Sequence, residues 1–266
     1  MPSVSIGDAE IYYEEAGQGE PLLLVPGLSG QGSFWGQQVE AFKRDFRVII
    51  HDHRGAGRST HSQIKYSVEQ MADDVLRLMD ALRIESAHLV GHSTGGAIGQ
   101  AIALDHRRRL RSLVLSATWA GPDPYFRRLF EARKETLLTQ GIEAYLRASV
   151  LVLAPPEWVS RNDAAIAELH RAQAASWPPR EVVASRIDAI VAFDRRRRLG
   201  EVGVPTLVVV AQDDMVTPKF YSDELAKAIP GASYVVLDGG GHFAPQILPE
   251  PYNRAVGAFL RSQLGR

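Results

Sequence analysis

Six short runs of almost uninterrupted apolar residues recur along the chain, at 22–25, 47–52, 87–91, 110–117, 205–212 and 233–238, with longer periodic segments between them. A strand that faces water on one side alternates apolar and polar residues, whereas one covered on both faces is apolar throughout. The six runs therefore read as parallel strands with helices on both sides. The segments 3–6 and 10–15 alternate instead, as an antiparallel hairpin on a sheet edge would. Between the strands, the stretch 67–82 sets Val68, Met71, Val75, Leu78, Met79 and Leu82 three and four apart, with Ser67 and Gln70 spaced as a capping box. Thr217 and Pro218 read as the N-cap and first position of another helix, and 249–264 as the last one.

This β-α rhythm predicts an α/β fold with a mostly parallel, eight-stranded sheet flanked by helices. It breaks only at 119–193, where helical patterns rich in Arg, Ala and aromatic residues carry no clear strand. That stretch reads as a helical cap inserted after the sixth strand, which divides the core into 1–118 and 194–266. A chain of 266 residues is long enough for one such domain with a well-buried interior.

Composition narrows the chemistry. There is no cysteine, so disulfides, thiolate metal sites and a cysteine nucleophile are excluded. The formal net charge of -1 gives no overall pull toward nucleic acid or membrane. The first residues lack a basic segment leading into an apolar one, and no apolar run reaches a membrane-spanning length, so a soluble cytoplasmic protein is expected. Arginines outnumber lysines 25 to 5 and cluster at 106–111 and 195–198. Acidic residues balance them and no aromatic stacking pattern accompanies them, so they read as solvated helix ends rather than a nucleic-acid surface. His51 and His53 share one face of a strand, but no acidic third ligand stands at a metal-binding spacing. No cofactor and no metal are called for. The expected partner is a small-molecule substrate, with homodimerisation open.

The most informative stretch is Gly-His-Ser-Thr-Gly at 91–95, between a predicted strand and a predicted helix. In that setting a G-x-S-x-G pattern places Ser93 in a turn so tight that glycine is needed two residues to either side, and thrusts its hydroxyl out at the C-terminal edge of the sheet. A glycine-rich turn that only joins strand to helix would read the same way, so the partners must decide. A serine nucleophile needs a base, and the base needs a third group to orient it. His242, in a glycine-rich loop after the last strand, can supply the base. Asp213 and Asp214, after the preceding strand, both offer the carboxylate. The backbone N–H of Thr94, just past Ser93, can stabilise a developing oxyanion. His92 reads as a packing or hydrogen-bonding residue of the turn.

Five motifs in order make the chain resemble the α/β-hydrolase superfamily over essentially its whole length. They are Pro-Gly-Leu-Ser-Gly at 26–30, the Asp-x-Arg-Gly-x-Gly-x-Ser turn at 52–59, the serine motif, Asp-Asp-Met-Val-Thr-Pro at 213–218 and Gly-Gly-Gly-His-Phe-Ala-Pro at 239–245. The resemblance implies that Asp214, four residues before Pro218, is the acid, and that Leu28 supplies the second oxyanion N–H. Pro26 departs from it: many members carry a histidine there that braces the oxyanion loop. Within the superfamily the chain looks most like the small capped enzymes typified by 3-oxoadipate enol-lactonases and aminoacrylate hydrolases. That likeness implies a serine hydrolase working through an acyl-enzyme on a small carboxylic ester or lactone. A C-N hydrolase of aminoacrylate, enamide or carbamate type is the alternative, followed by C-C hydrolysis. A non-catalytic small-molecule receptor and a cofactor-free oxygenase or perhydrolase share the same fold. Phe34 and Trp35 from below, and Trp119, Tyr125, Trp158 and Trp177 from the cap, are the expected substrate wall, and a cap arginine such as Arg127 or Arg128 could hold a substrate carboxylate.

Overall fold

The computed structural model describes residues 2–175 and 177–265. Its strands are β1 (Ser3–Ser5), β2 (Glu10–Ala16), β3 (Glu20–Val25), β4 (Phe46–His51), β5 (Ala87–His92), β6 (Leu110–Ser116), β7 (Thr206–Ala211) and β8 (Ser233–Leu237). They form one sheet in the order β1-β2-β4-β3-β5-β6-β7-β8. From β4 through β8 every pairing is parallel, while β2 runs antiparallel to both β1 and β4. The alternating segments thus form the edge, as their pattern predicts.

The apolar runs send successive side chains to opposite faces. Leu22 and Leu24 join Phe42 of α1 (Gly36–Phe42) and Tyr252, Val256 and Leu260 of the last helix (Pro249–Ser262) on one side. Leu23 and Val25 join residues of α2 (Val68–Ala81), α3 (Thr94–Asp105) and α9 (Lys219–Ala228) on the other. Strand β3 lies between β4 and β5, so the connections leave it in opposite directions and open a crevice at its C-terminal end. The cap between β6 and β7 comprises α4 (Pro124–Gln140), α5 (Ile142–Leu153), α6 (Pro156–Arg161), α7 (Asp163–Ala175) and α8 (Arg180–Ala192). Its Phe126, Phe130, Leu137 and Ile187 belong to the same apolar cluster as the sheet, so the cap sits on the core without a solvent layer between them. No helix among the described residues is long and apolar enough to cross a membrane.

Three local expectations change. The Ser67 hydroxyl accepts from Gln70 N at 3.0 Å, but the Gln70 side chain turns to Asp74 and leaves the capping box half made. Asp74 is buried beside Arg54, and satisfying it outweighs the reciprocal cap. The helix predicted from Thr217 starts at Lys219, because the N–H and hydroxyl of Thr217 are both taken by Asp214. Several of the clustered arginines are tied into surface ion pairs rather than freely solvated: Arg109 pairs with Asp80, Arg111 with Glu20, Arg195 with Glu69 and Arg198 with Asp105 and Glu201.

The β5-to-α3 connection is where the sequence is least free. A Cβ on Gly91 would lie 2.2 Å from the carbonyl oxygen of Gly95, and one on Gly95 would lie 2.1 Å from that of Val25. Both distances are far inside van der Waals contact with backbone that cannot swing away. Gly95→Ala is therefore expected to destabilise the fold by about 3 kcal/mol or more, beyond the usual cost of an overpacked core. Gly36→Ala, whose Cβ would meet nothing within 4 Å, serves as the control and should be neutral or stabilising. Urea denaturation of the two variants separates these outcomes.

Candidate active site

Ser93 sits at φ 54, ψ -116, a backbone conformation that side chains avoid. Three hydrogen bonds hold it there. Ser93 N donates to Ser116 O at 2.8 Å, Thr118 Oγ1 donates to Ser93 O at 2.8 Å, and Gly96 N donates to the same carbonyl at 2.9 Å. The strain of the elbow is thus balanced by its neighbours on β6 and α3, and Ser93 faces a cavity of about 520 Å³ between the sheet and the cap.

The loops after β7 and β8 bring Asp214 and His242 together, both almost fully buried. Asp214 Oδ1 accepts from Val216 N at 2.8 Å and Thr217 N at 2.9 Å, and its Oδ2 accepts from the Thr217 hydroxyl at 2.9 Å. The remaining bond to Oδ2 comes from His242 Nδ1 at 2.8 Å. A carboxylate can only accept, so this bond assigns the proton to Nδ1 and leaves Nε2 as the basic nitrogen. His242 and Ser93 line the same cavity. Asp213 points elsewhere: it is exposed and accepts from Gly241 N at 2.9 Å, tying down the residue before His242.

The proposed oxyanion donors lie at the adjoining corner. Thr94 is the first residue of α3, so its N–H has no intrahelical acceptor. Leu28 lines the cavity in a turn closed by Gly30 N donating to Gly27 O at 3.0 Å, and a Cβ on Gly27 would lie 3.2 Å from that of Ser93. Neither N–H donates to a backbone carbonyl among the described turns, loops and caps.

Of the expected substrate wall, Phe34, Trp158 and Trp177 line the cavity. Trp35, Trp119 and Tyr125 do not. Trp35 is fully buried beneath the floor, edge-on to His92 and close to Tyr252. Trp119 is fully buried between Phe126 and Phe193 at the base of the cap. Tyr125 faces outward and its hydroxyl donates to Met215 O, joining α4 to the loop that carries Asp214. His92 stacks on Phe34 at 4.9 Å and contacts Ser116 Oγ through Nδ1 at 3.2 Å, a packing role. Burial first, and the neighbouring His242 second, push its pKa well below the ordinary value, so it stays neutral. His51 and His53 lie side by side, and no group of three His, Asp or Glu among the described residues could hold a metal.

Sequence reasoning missed the cap's polar lining. Arg133, Tyr145, Ser149 and His170 from α4, α5 and α7 all line the cavity, as does Arg186 of α8. Arg127 and Arg128 are exposed and outside the lining, because α4 turns the face bearing Phe130, Arg133 and Leu137 inward. The spacing of three and four between those residues was the available signal. If His242 is oriented through Asp214 alone, Asp214→Ala should lower kcat by about 10⁴, as loss of an orienting carboxylate does. Asp213→Ala should cost about tenfold or less, since it removes one exposed brace of the histidine loop. Steady-state rates of the two variants on one substrate check this, and the assignment fails if their order is reversed.

The sequence pattern of the alpha/beta hydrolase fold matches residues 20–245. A protein of Azorhizobium caulinodans named "Putative carbamate hydrolase RutD" is 40% identical over 259 residues, covering 97% of this chain and 98% of its own length. One of the same name from Caulobacter vibrioides is 39% identical over 266 residues, covering 98% and 99%. Among solved structures, the enol-lactonase from Burkholderia xenovorans LB400 superposes with a TM-score of 0.90 at 30% identity, over 98% of this chain and 100% of that one. A thermophilic esterase from Thermogutta terrifontis, described with malate bound, superposes with a TM-score of 0.86 at 29% identity, over 96% and 94%. A family pattern spanning most of the chain, with relatives matched end to end, places this protein in the alpha/beta hydrolase fold family.

Proposed function

We propose that this hydrolase attacks a small carbonyl substrate with Ser93, using His242 as base and Asp214 as its orienting acid. The observation that carries the reading is the buried Asp214–His242 hydrogen bond opening on the same cavity as the strained Ser93 elbow. In this mechanism the Ser93 hydroxyl gives its proton to His242 Nε2 as Oγ bonds to the carbonyl carbon. The N–H groups of Leu28 and Thr94 receive the oxyanion of the tetrahedral adduct. His242 then returns the proton to the departing nitrogen or oxygen. Water, activated by the same imidazole, releases the acyl or carbamoyl group from Ser93.

The cavity favours an anionic substrate. Among the described residues its lining includes Arg133 and Arg186 and no Asp or Glu. Arg133 is held by two hydroxyls, Tyr145 Oη at 2.9 Å and Ser149 Oγ at 3.2 Å, and by no carboxylate among the described residues, which leaves its charge available to a ligand. A small acid whose carboxylate meets Arg133 and whose scissile carbonyl meets Ser93 fits this arrangement. The names of the 40% and 39% identical relatives support cleavage of a carbamate-type C-N bond. The enol-lactonase likeness supports a second reading, an ester or lactone C-O bond. Both pass through the same acyl-enzyme chemistry.

Malonamate and monomethyl malonate carry one carboxylate each and differ in the bond to be broken. Ammonia release from the first or methanol release from the second is expected from the wild type and absent from Ser93→Ala. Arg133→Gln should raise KM for these acids about tenfold or more, the worth of one charged hydrogen-bonded pair. Turnover that survives in Ser93→Ala contradicts the mechanism, and an unchanged KM in Arg133→Gln contradicts the anionic reading.

A further inference from the structure

Arg186 is a cap residue that is buried almost completely, with 1% of its surface exposed, and has no carboxylate among its hydrogen-bond partners in the described residues. Its Nη1 donates to Arg54 O at 2.6 Å, and its Nη2 donates to Leu28 O at 3.1 Å and His53 Nδ1 at 3.0 Å. Tyr66 lies under the guanidinium at 5.7 Å. Burial draws the Arg186 pKa down to about 10, which leaves it charged at neutral pH. The core makes room for it: Gly30 has φ +70, and a Cβ there would lie 2.9 Å from Arg186 Nη2 and 2.7 Å from the Ala56 Cβ. Burying a guanidinium without a counter-ion is costly. Elsewhere in this chain the cost is met by acids, as at Arg54, which makes paired bonds to Asp74 and Asp8.

What Arg186 holds instead is the backbone on one side of a proposed oxyanion donor. The Leu28 N–H is flanked by two carbonyls. Gly27 O accepts from Gly30 N within the turn, and Leu28 O accepts from Arg186, 158 residues away in the cap. With both carbonyls engaged, the peptide planes around Leu28 cannot rotate without breaking a bond, and the N–H between them is left without a backbone acceptor among the described residues. The other two acceptors of Arg186 belong to the loop after β4, so one side chain joins the cap to two core loops.

We propose that Arg186 is a positioning residue for the oxyanion hole: it locks the Leu28 peptide, so that the hole is complete only while α8 is seated on the core. The inference rests on the Ser93 mechanism for its catalytic consequence, but the ordering of the loop is independent of it. Arg186→Met keeps the length and removes the donors. Arg186→Lys keeps a charge and part of the hydrogen bonding, and is the second variant should the first not fold. With a short-chain 4-nitrophenyl ester, kcat should fall roughly 10²-fold in Arg186→Met, the effect of losing one oxyanion donor, with KM changed by less than about threefold. Arg186→Lys should lie between it and the wild type. Affinity for phenylboronic acid, whose serine adduct is tetrahedral, should fall with kcat, whereas binding of the product acid should not, a split that general loosening would not produce. Hydrogen–deuterium exchange should quicken in residues 26–31 and stay unchanged in 87–105.

Unaltered exchange at 26–31 overturns the proposal, as does a loss carried by KM alone, which would make Arg186 a substrate ligand. A wild type that neither hydrolyses nor binds boronate, combined with a loop that loosens in Arg186→Met, removes the Ser93 mechanism and supports the brace.

Discussion

The close approach of Gly95 to the carbonyl of Val25 is the constraint on which the rest of this molecule depends. It lets the first turn of α3 lie against the end of β3, and so forces the chain at Ser93 into a conformation with positive φ. Three consequences follow from that one contact. The Ser93 side chain leaves the sheet at the topological switch point, the first N–H groups of α3 are directed at the same place, and the loop after β3 is brought against Ser93 through Gly27. The proposed nucleophile and the proposed Thr94 donor are thus set by backbone geometry, and only the Leu28 peptide leans on a distant side chain.

Around this point the buried charges are arranged in two ways. Asp214 is surrounded by four donors, and the Arg54 guanidinium is shared between Asp74 and Asp8. Each is compensated, and each fixes loops that must not move: the acid loop in one case and the turn after β4 in the other. Arg133 and Arg186 are different, because no carboxylate among the described residues is their partner. Both belong to a cavity lining with no Asp or Glu among the described residues, but Arg186 spends its donors on protein acceptors and only Arg133 is left to meet the proposed anionic substrate. The cap therefore contributes cationic charge and one backbone brace, in addition to an apolar wall.

Much of this was legible in the sequence, for identifiable reasons. The strands announced themselves because both faces are buried, and Ser93 and His242 as candidates because each sits in a glycine-rich loop next to a strand, whereas the preference for Asp214 over Asp213 came only from the family resemblance. The cap was less legible. Trp119 and Tyr125 have the composition of a substrate wall, yet one seals the base of the cap and the other ties α4 to Met215, and residue type alone does not distinguish inward from outward faces. Trp35 follows Phe34 directly in a short helical turn and packs edge-on against its ring at 4.9 Å, so that Phe34 reaches the cavity and Trp35 lies buried behind it. Arg186 had no signal at all. Its hydrogen bond to Leu28 O spans 158 residues, a relation that no local pattern encodes.

The most direct test of the account is to label the protein with a fluorophosphonate and locate the adduct by peptide mass spectrometry in the wild type, Ser93→Ala and His242→Ala. A single adduct on Ser93, absent from Ser93→Ala and formed at least about 10³-fold more slowly in His242→Ala, is the predicted result, since the hydroxyl is a weak nucleophile without its base. No adduct, or one on another residue, would contradict the claim that this elbow presents an activated serine.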